Sequence, residues 1–285
     1  MITRFAPSPT GPLHLGHAYS AMLTHDMAKA AKGTCLLRIE DLDRERSKPK
    51  WETLIAEDLA WLGLAWPDPP RRQSEHISDY TRALEHLSGL GLVYPCRCNR
   101  ADIRAALSAP QEGALPATGP DGLIYPGTCR GRPLAERSPG DALRLDISKA
   151  AAMVETLSFT ETGPCHPGTH TIDAKTLVFS VGDVVLARRA TGAIAYHLAA
   201  STDDALQGVT HVIRGEDLFD ATQIHVLLQR LMGWPTPVYH HHRLIRDEQG
   251  KRLAKRDDAR AISLYRADGA SPSDLRDMVN LPSAS

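Results

Sequence analysis

Arg4-Phe5-Ala6-Pro7-Ser8-Pro9-Thr10-Gly11-Pro12-Leu13-His14-Leu15-Gly16-His17 decides how the rest of the chain is read. It reads as a short strand, a stiff turn and the first residues of a helix. Pro7, Pro9 and Pro12 fix φ at three places and cannot continue a strand ladder. Gly11 and Gly16 let the backbone approach a ligand with no Cβ in the way. The run that follows carries Leu23, Met27 and Ala30 at helical spacing, with Gly33 just past its end. A helix N-terminus holds orphan N–H groups and partial positive charge, so it favours phosphate. His14 and His17, three positions apart at that terminus, can donate to one anionic centre.

The 285 residues are 42% hydrophobic, enough to bury one large core or two small ones. No apolar run reaches the ~18 residues of a membrane span. The chain passes from Met1 straight into a strand with no signal-peptide pattern, so a cytoplasmic protein with no membrane partner is expected. A net charge of −1 excludes global attraction to nucleic acid, and any RNA contact must use local basic patches.

Further along, Thr34 to Ile39 reads as a buried parallel strand ending in Arg38, Glu40, Asp41 and Asp43, charges placed where open α/β sheets bind ligands. Ser47 and Pro49 start a helix with Trp51, Leu54, Ile55, Leu59 and Leu62 on its buried stripe and Gly63 as its stop. Trp61 and Trp66 read as core or interface. Ser74 caps a helix with the stripe Ile77, Tyr80, Leu84 and Leu87. Val93 to Asn99 leads into a short helix around Ile103 to Leu107, and residues 109–122 read as a long loop. Ala142 to Ile147 is a strand, and residues 160–172 a second irregular stretch. Asp183 to Arg188 and Ala193 to Leu198 read as a hairpin around Thr191-Gly192. Val209 to Arg214 is a strand running into Gly215-Glu216-Asp217. Asp220 caps a helix carrying Ile224, Leu227, Leu228 and Leu231, with Gly233 at its end. Pro237 to Ile245 holds a strand in which His240, His241 and His242 face alternate sides. A basic loop, Lys251 to Arg256 after Gly250, could fold over a triphosphate or be a solvated surface.

Three of the five cysteines, Cys96, Cys98 and Cys129, fall in one segment with little core of its own. In a reducing compartment that clustering favours a metal over disulfides. A structural zinc ion supplies roughly 10–16 kcal/mol in small peptides, more than packing could supply to a subdomain of this size. Tyr125 or the Cys165-His166 pair could complete the set. Three reduced, buried thiols without metal are the alternative.

Together these stretches resemble the class I aminoacyl-tRNA synthetases. His14-Leu15-Gly16-His17 is similar to the family's HIGH signature, and Arg252-Leu253-Ala254-Lys255-Arg256 to its KMSKS signature. Arg4 to Gly11, Arg38-Ile39-Glu40-Asp41 and Ile213-Arg214-Gly215-Glu216-Asp217 narrow the resemblance to the glutamyl branch. The chain stops at Ser285, soon after the basic loop. In that it resembles the truncated glutamyl-Q tRNA(Asp) synthetase family, which lacks an anticodon-binding domain.

The resemblance implies an α/β, Rossmann-like class I catalytic domain with an inserted zinc-bearing subdomain. Residues 1–90 and 181–260 would form the two catalytic halves, 91–180 the insert, and 261–285 a short helical tail. It implies ATP-dependent activation of L-glutamate and transfer to queuosine in tRNA(Asp), by a monomer using Mg²⁺ with ATP. His14, His17 and Lys255 would be catalytic, with Gly16 and Arg252 also at ATP. Arg4, Ala6, Ser8, Glu40, Tyr196 and Arg214 would hold glutamate. Zn²⁺ would sit on Cys96, Cys98, Tyr125 and Cys129. Arg252 and Ala254 depart from the usual basic loop, and Ala254 lacks a hydroxyl. A minimal glutamyl-tRNA synthetase charging tRNA(Glu) is set against by the missing anticodon domain. A metabolite nucleotidyltransferase of the HxGH superfamily is set against by the glutamate-type arginines and the cysteine insert. A non-catalytic RNA-binding paralogue is set against by His14, His17 and Lys255.

Overall fold

A computed structural model describes residues 1–67, 69–107, 118–246 and 260–282. The basic loop, including Arg252, Ala254 and Lys255, lies outside the described residues. The first part runs β1 (Ile2–Phe5), α1 (Leu15–Ala30), β2 (Thr34–Ile39), α2 (Pro49–Trp61), β3 (Arg71–Arg72), α3 (Ile77–Gly89). β1 and β2 are parallel, with Ile2 opposite Thr34 and Phe5 opposite Leu37, and β3 continues the sheet in parallel beyond β2. Parallel neighbours require a crossover, and α1 supplies it between β1 and β2.

The middle part runs β4 (Val93–Cys96), α4 (Arg100–Leu107), β5 (Thr118–Gly119), β6 (Gly122–Leu123), β7 (Ala142–Leu145), α5 (Ile147–Ala152), β8 (Thr156–Glu161), β9 (Gly168–Asp173), α6 (Leu177–Ser180) and β10 (Val185–Ala187). β4, β7 and β10 form a separate antiparallel sheet in the order β10-β7-β4. The last part runs α7 (Tyr196–Leu206), β11 (His211–Gly215), α8 (Thr222–Met232), β12 (Val238–His242), α9 (Ile262–Ala267) and α10 (Pro272–Met278). Here the order is β11-β12-β8-β9, with β11, β12 and β8 parallel and β9 antiparallel.

The two parallel halves meet along β1 and β11. Thr210 N–H donates to the Ile2 carbonyl and Ile2 N–H to Thr210 Oγ1, both at 2.9 Å. Two apolar clusters sit behind this seam. One packs Met22 of α1 against Ile39, Ile55, Leu59 and, from the tail, Leu275. The other packs Tyr80 and Leu87 of α3 against Leu198 of α7 and Leu227 of α8. The tail also holds the N-terminal turn, because Ile262 N–H donates to the Leu13 carbonyl at 2.8 Å. Trp61 and Trp66 are partly buried against the first cluster.

Several local readings are corrected. Gly33 lies just past the end of α1, as its position in the sequence implies, but it is Lys32 that takes the left-handed conformation (φ 48°), and Gly33 is small because a Cβ would lie 2.2 Å from the Met1 carbonyl oxygen. Ser47 does not cap α2, whose N-cap is Lys48 with Pro49 following it. Ser74 caps nothing. Its N–H and hydroxyl donate to Asp41 at 2.8 and 2.5 Å, and α3 starts later, after His76. Asp220 gives way to Ala221 as the N-cap of α8.

Residues 160–172 are not one irregular stretch. β8 and β9 pair as a hairpin, and the alternation that marks β8 begins at Thr156 with Leu157, Phe159 and Glu161 facing in. The expected hairpin around Thr191-Gly192 survives only as a bridge between Ala187 and Ile194. Tyr196 opens α7, a helix buried from His197 to Asp204 on every face. A helix buried all round shows no 3.6-residue alternation to read. Of the stretch read as a long loop, residues 109–117 lie outside the described residues, and from 118 to 123 the chain forms the small β5–β6 hairpin.

Candidate active site

The turn after β1 delivers two imidazoles to the tip of α1. His14 is its N-cap, and His14 Nδ1 accepts from Gly16 N–H at 3.1 Å. His17 Nδ1 reaches back and accepts from His14 N–H, also at 3.1 Å. This is a capping box built from two histidines in place of the usual Ser/Thr and Glu. Its consequence is electronic. A backbone N–H can only donate, so each Nδ1 must carry a lone pair, and a neutral ring then carries its proton on Nε2. The two ring centroids are 3.8 Å apart, so both face one region. Gly16 keeps that region open, since a Cβ there would stand 3.0 Å from His14 Cε1.

The proline turn is fixed from β2's side, where Glu40 N–H donates to the Pro7 carbonyl at 3.1 Å. Burial pushes the Glu40 carboxyl up to about 7, against the opposing pull of Arg38 and Arg4. A cation arriving beside it would favour its ionised form.

Below lies a buried charge network that the sequence reading missed. Arg4 Nε donates to Asp204 Oδ1 at 2.8 Å, and the wholly buried Arg38 donates to the same oxygen. Its neighbour Asp203 accepts from Arg71 Nε and Gln73 Nε2 at 2.8 Å and from the Tyr80 hydroxyl at 3.0 Å. Burial works against ionisation of Asp204, but Arg4 and Arg38 outweigh it and hold the carboxyl below its ordinary value. The only signal in the sequence is an acidic pair inside the otherwise uncharged run Leu198 to Leu206.

Arg214 in β11 is built differently. It is 5% exposed, and among the described residues no carboxylate lies within ion-pair distance of it. Its Nε donates to His241 Nε2 at 3.1 Å, Nη1 contacts His225 Nδ1 at 3.3 Å, and Nη2 donates to Thr222 Oγ1 at 2.8 Å and the Leu218 carbonyl at 3.2 Å. Every one of these partners is neutral. A buried guanidinium without a counter-ion in a cleft is a site for an anion.

Nine of the expected residues line one cleft of about 470 Å³. Arg4, Ala6 and Ser8 come from β1 and its turn, His14, Gly16 and His17 from the tip of α1, and Glu40 from the end of β2. Tyr196 comes from the start of α7 and Arg214 from β11. The cleft stands at the carboxyl ends of β1, β2 and β11, the side on which open parallel sheets bind ligands. The three consecutive histidines of β12 part company. His240 Nδ1 meets Thr162 Oγ1 at 3.0 Å, His241 is buried beside Arg214, and His242 sits edge-on to Tyr19 with ring centroids 5.1 Å apart.

In the β4–β7–β10 part, the sulfur atoms of Cys96, Cys98 and Cys129 lie within 4.8 Å of one another. The Tyr125 hydroxyl is 3.4 Å from both Cys96 Sγ and Cys98 Sγ. Cys165 and His166 are elsewhere, the thiol donating to Glu216 at 3.0 Å and the ring stacked 4.0 Å from Phe219, so neither joins the cluster. The donor set fits zinc. Two thiolates at the ~2.3 Å zinc–sulfur distance on a tetrahedral ion stand roughly 3.8 Å apart, and Cys98 Sγ and Cys129 Sγ are 3.6 Å apart. Burial raises the Cys129 thiol, but hydrogen bonds from Tyr125 and the Arg97 backbone outweigh it and bring it down to about 7. A thiol so placed offers the thiolate a metal needs.

The sequence matches the family described as tRNA synthetases class I (E and Q), catalytic domain, over residues 1–116 and 174–283. The chain belongs to that family. As a class I E and Q synthetase it is 61% identical over 284 residues to a Rhodobacter capsulatus protein named Glutamyl-Q tRNA(Asp) synthetase, covering 99% of this chain and 100% of that one. It is 42% identical over 282 residues to the protein of that name from Symbiobacterium thermophilum, covering 94% and 82%. A solved glutamate tRNA ligase from Elizabethkingia meningosepticum, in complex with its amino acid, superposes with a TM-score of 0.74 at 29% identity. The enzyme from Elizabethkingia anophelis gives 0.76 at 28%. This synthetase spans 60% and 61% of those two chains while 98% of its own length is matched. None of its described helices is long and apolar enough to cross a membrane.

Proposed function

We propose that this chain activates L-glutamate with ATP and transfers the glutamyl group to the queuosine base at the wobble position of tRNA(Asp). The observation that carries this reading is the 61% identity running the full length of both chains to the Rhodobacter capsulatus protein of that name. The cleft supports the first half-reaction on its own chemistry. A glutamate carboxylate oxygen attacks the α-phosphorus of ATP, the bond to pyrophosphate breaks, and glutamyl-adenylate forms. In the second half-reaction a queuosine hydroxyl attacks the acyl carbon and AMP leaves with the bonding pair.

The reaction calls for no protein nucleophile, so positioning and electrostatics carry it. Arg214 faces a glutamate carboxylate, Arg4 contributes beside it, and Glu40 takes the ammonium. Ser8 and Tyr196 add hydrogen bonds, and Ala6 lines the same cleft. The Nε2–H groups of His14 and His17 point to charge developing on the α-phosphate, with Gly16 leaving room for the nucleotide. Lys255 and Arg252 are the proposed holders of the departing phosphates, and Mg²⁺ with ATP supplies further charge neutralisation. The catalytic halves are assigned to 1–90 and 181–260 and the tail to 261–285, with the insert within 91–180 apart from β8 and β9, which join β12 in the sheet of the second half.

Charging of queuosine-containing tRNA(Asp), unmodified tRNA(Asp) and tRNA(Glu) tests the reading. Glutamate is expected on the first alone. Charging of tRNA(Glu) would make the chain a minimal glutamyl-tRNA synthetase instead.

Cys96, Cys98, Tyr125 and Cys129 would hold a zinc ion, which would tie β4 to the segment before β7. Elemental analysis of the purified chain is expected to give about one zinc per molecule, as for a closed four-ligand site. Cys129→Ser should lose most of that metal and melt at lower temperature. Metal-free wild-type protein of unchanged stability would end the assignment.

A further inference from the structure

The histidines of β12 left a question that the geometry around Arg214 answers. Glu161, at the end of β8, is 2% exposed and has no cationic side chain against it among the described residues other than by way of His241. Its Oε1 accepts two backbone N–H groups, from Gly163 at 2.5 Å and from His241 at 2.9 Å. Its Oε2 meets His241 Nδ1 at 2.5 Å. The other side of that imidazole, Nε2, takes the Nε–H of Arg214 at 3.1 Å. The protons in this line have one consistent arrangement. Arginine can only donate, so His241 Nε2 must accept. The neutral ring then carries its proton on Nδ1 and gives it to the carboxylate.

A second imidazole column meets the same guanidinium. His225 Nδ1 lies 3.3 Å from Arg214 Nη1, and His225 Nε2 lies 3.0 Å from His197 Nδ1. His197 Nε2 is in turn 3.5 Å from Asp121 Oδ1. This line also runs in one direction, from guanidinium to carboxylate. Arg214 is thus met on two edges by imidazoles, and the one on the Nε side, His241, is hydrogen-bonded on its far side to an acid that does not touch the guanidinium.

We infer that His241 and Glu161 are positioning residues for the amino-acid substrate, Glu161 fixing the tautomer of His241 and His241 fixing the direction in which Arg214 presents its fork to the glutamate carboxylate. This rests on the assignment of Arg214 to glutamate. An orienting partner behind a ligating group commonly matters 10–100-fold to ligand affinity, as it does behind metal-bound histidines. The arrangement also keeps a carboxylate away from the guanidinium itself, so its charge is left for the substrate.

Glu161→Gln separates this role from packing, because it keeps shape and removes only a charge. Oε1 is pinned by two backbone donors, so the new amide nitrogen must face His241 Nδ1. That nitrogen only donates. The His241 proton is forced to Nε2, where it opposes the Nε–H of Arg214. In glutamate-dependent ATP–pyrophosphate exchange, E161Q is expected to raise KM for glutamate roughly 10–100-fold. KM for ATP should stay within about twofold, since the nucleotide side of the cleft is untouched. Nitrogen-15 NMR should show the His241 proton moving from Nδ1 in the wild type to Nε2 in the variant. His241→Gln, which retains an acceptor for Arg214, should raise KM for glutamate far less than His241→Leu, with melting temperatures measured for both.

Arg214→Lys, run alongside, keeps two failures apart. If R214K leaves KM for glutamate unchanged, the assignment of Arg214 is wrong. If R214K raises it and E161Q does not, or if the His241 proton stays on Nδ1 in E161Q, the positioning role is overturned while that assignment stands.

Discussion

Asp204→Ala is expected to destabilise the protein by about 3–5 kcal/mol, the range found when one partner of a buried ion pair is removed. Asp204 accepts from both Arg4 and Arg38, with Arg4 5% and Arg38 0% exposed. Without it, two guanidinium groups from neighbouring parallel strands remain in the interior with too little negative charge. Asp203 does not replace it, because its oxygens are hydrogen-bonded to Arg71, Gln73 and Tyr80 and its Oδ2 stands 3.8 Å from Arg38 Nε. Denaturant unfolding checks the magnitude, and its pH dependence checks the cause. The folded-state pKa of Asp204 is depressed. Its contribution is therefore present above the unfolded value near 3.9 and is lost as pH falls through the folded one. The wild type should lose stability on acidification below about pH 4, and D204A should show a shallower acid limb. A loss under 1 kcal/mol, or an unchanged acid limb, would mean that the network contributes little.

His14→Asn and His17→Asn should each lower the rate of adenylate formation by about 10²–10³-fold, the usual effect of losing one preorganised donor to transition-state charge. Stability should barely move. Asparagine Oδ1 occupies the place of Nδ1 and can accept the same backbone N–H, so the histidine capping box of α1 is kept while the distal donor is lost. Glutamine should do the reverse, keeping a donor near the position of Nε2 and giving up the cap at about 1 kcal/mol. Single-turnover adenylation with denaturant unfolding separates the two effects. Asparagine variants that stay fast, or that lose both activity and stability together, would reduce the paired imidazoles to a structural device.

What the sequence discloses about the site follows from distance along the chain. His14, Gly16 and His17 are legible because a turn, a cap and a helix start are local events with local residue preferences. Glu40 is legible because it follows a strand that can be found from its apolar run, whereas Arg4 and Arg214 are picked out by the resemblance of their motifs to the glutamyl branch. Asp204 and Glu161 are not, because the partners that give them meaning stand 200 residues away at Arg4 and 80 away at His241. Helix α7 escapes notice for a related reason. It is buried on all sides between α3, α8 and the seam, so no polar face marks its period. Ser74 is a residue of capping type close to a helix start, but a tertiary partner, Asp41, decides its use.

The tie between the cleft and the cysteine part is also non-local. His197 and Tyr196 open α7 at the point where the chain returns from β10, and Asp121 of the small β5–β6 hairpin reaches His197 across it. Tyr196, which lines the cleft, and His197, which meets the hairpin, are thus neighbours at the start of one helix.

The most direct test is to charge queuosine-containing tRNA(Asp) with radiolabelled glutamate, cut the RNA with nucleases and locate the label. The label is expected in the anticodon fragment, on the wobble nucleotide, and absent when that base is unmodified. Label on the 3′-terminal fragment would contradict the account, and would do so whatever the behaviour of the cleft variants.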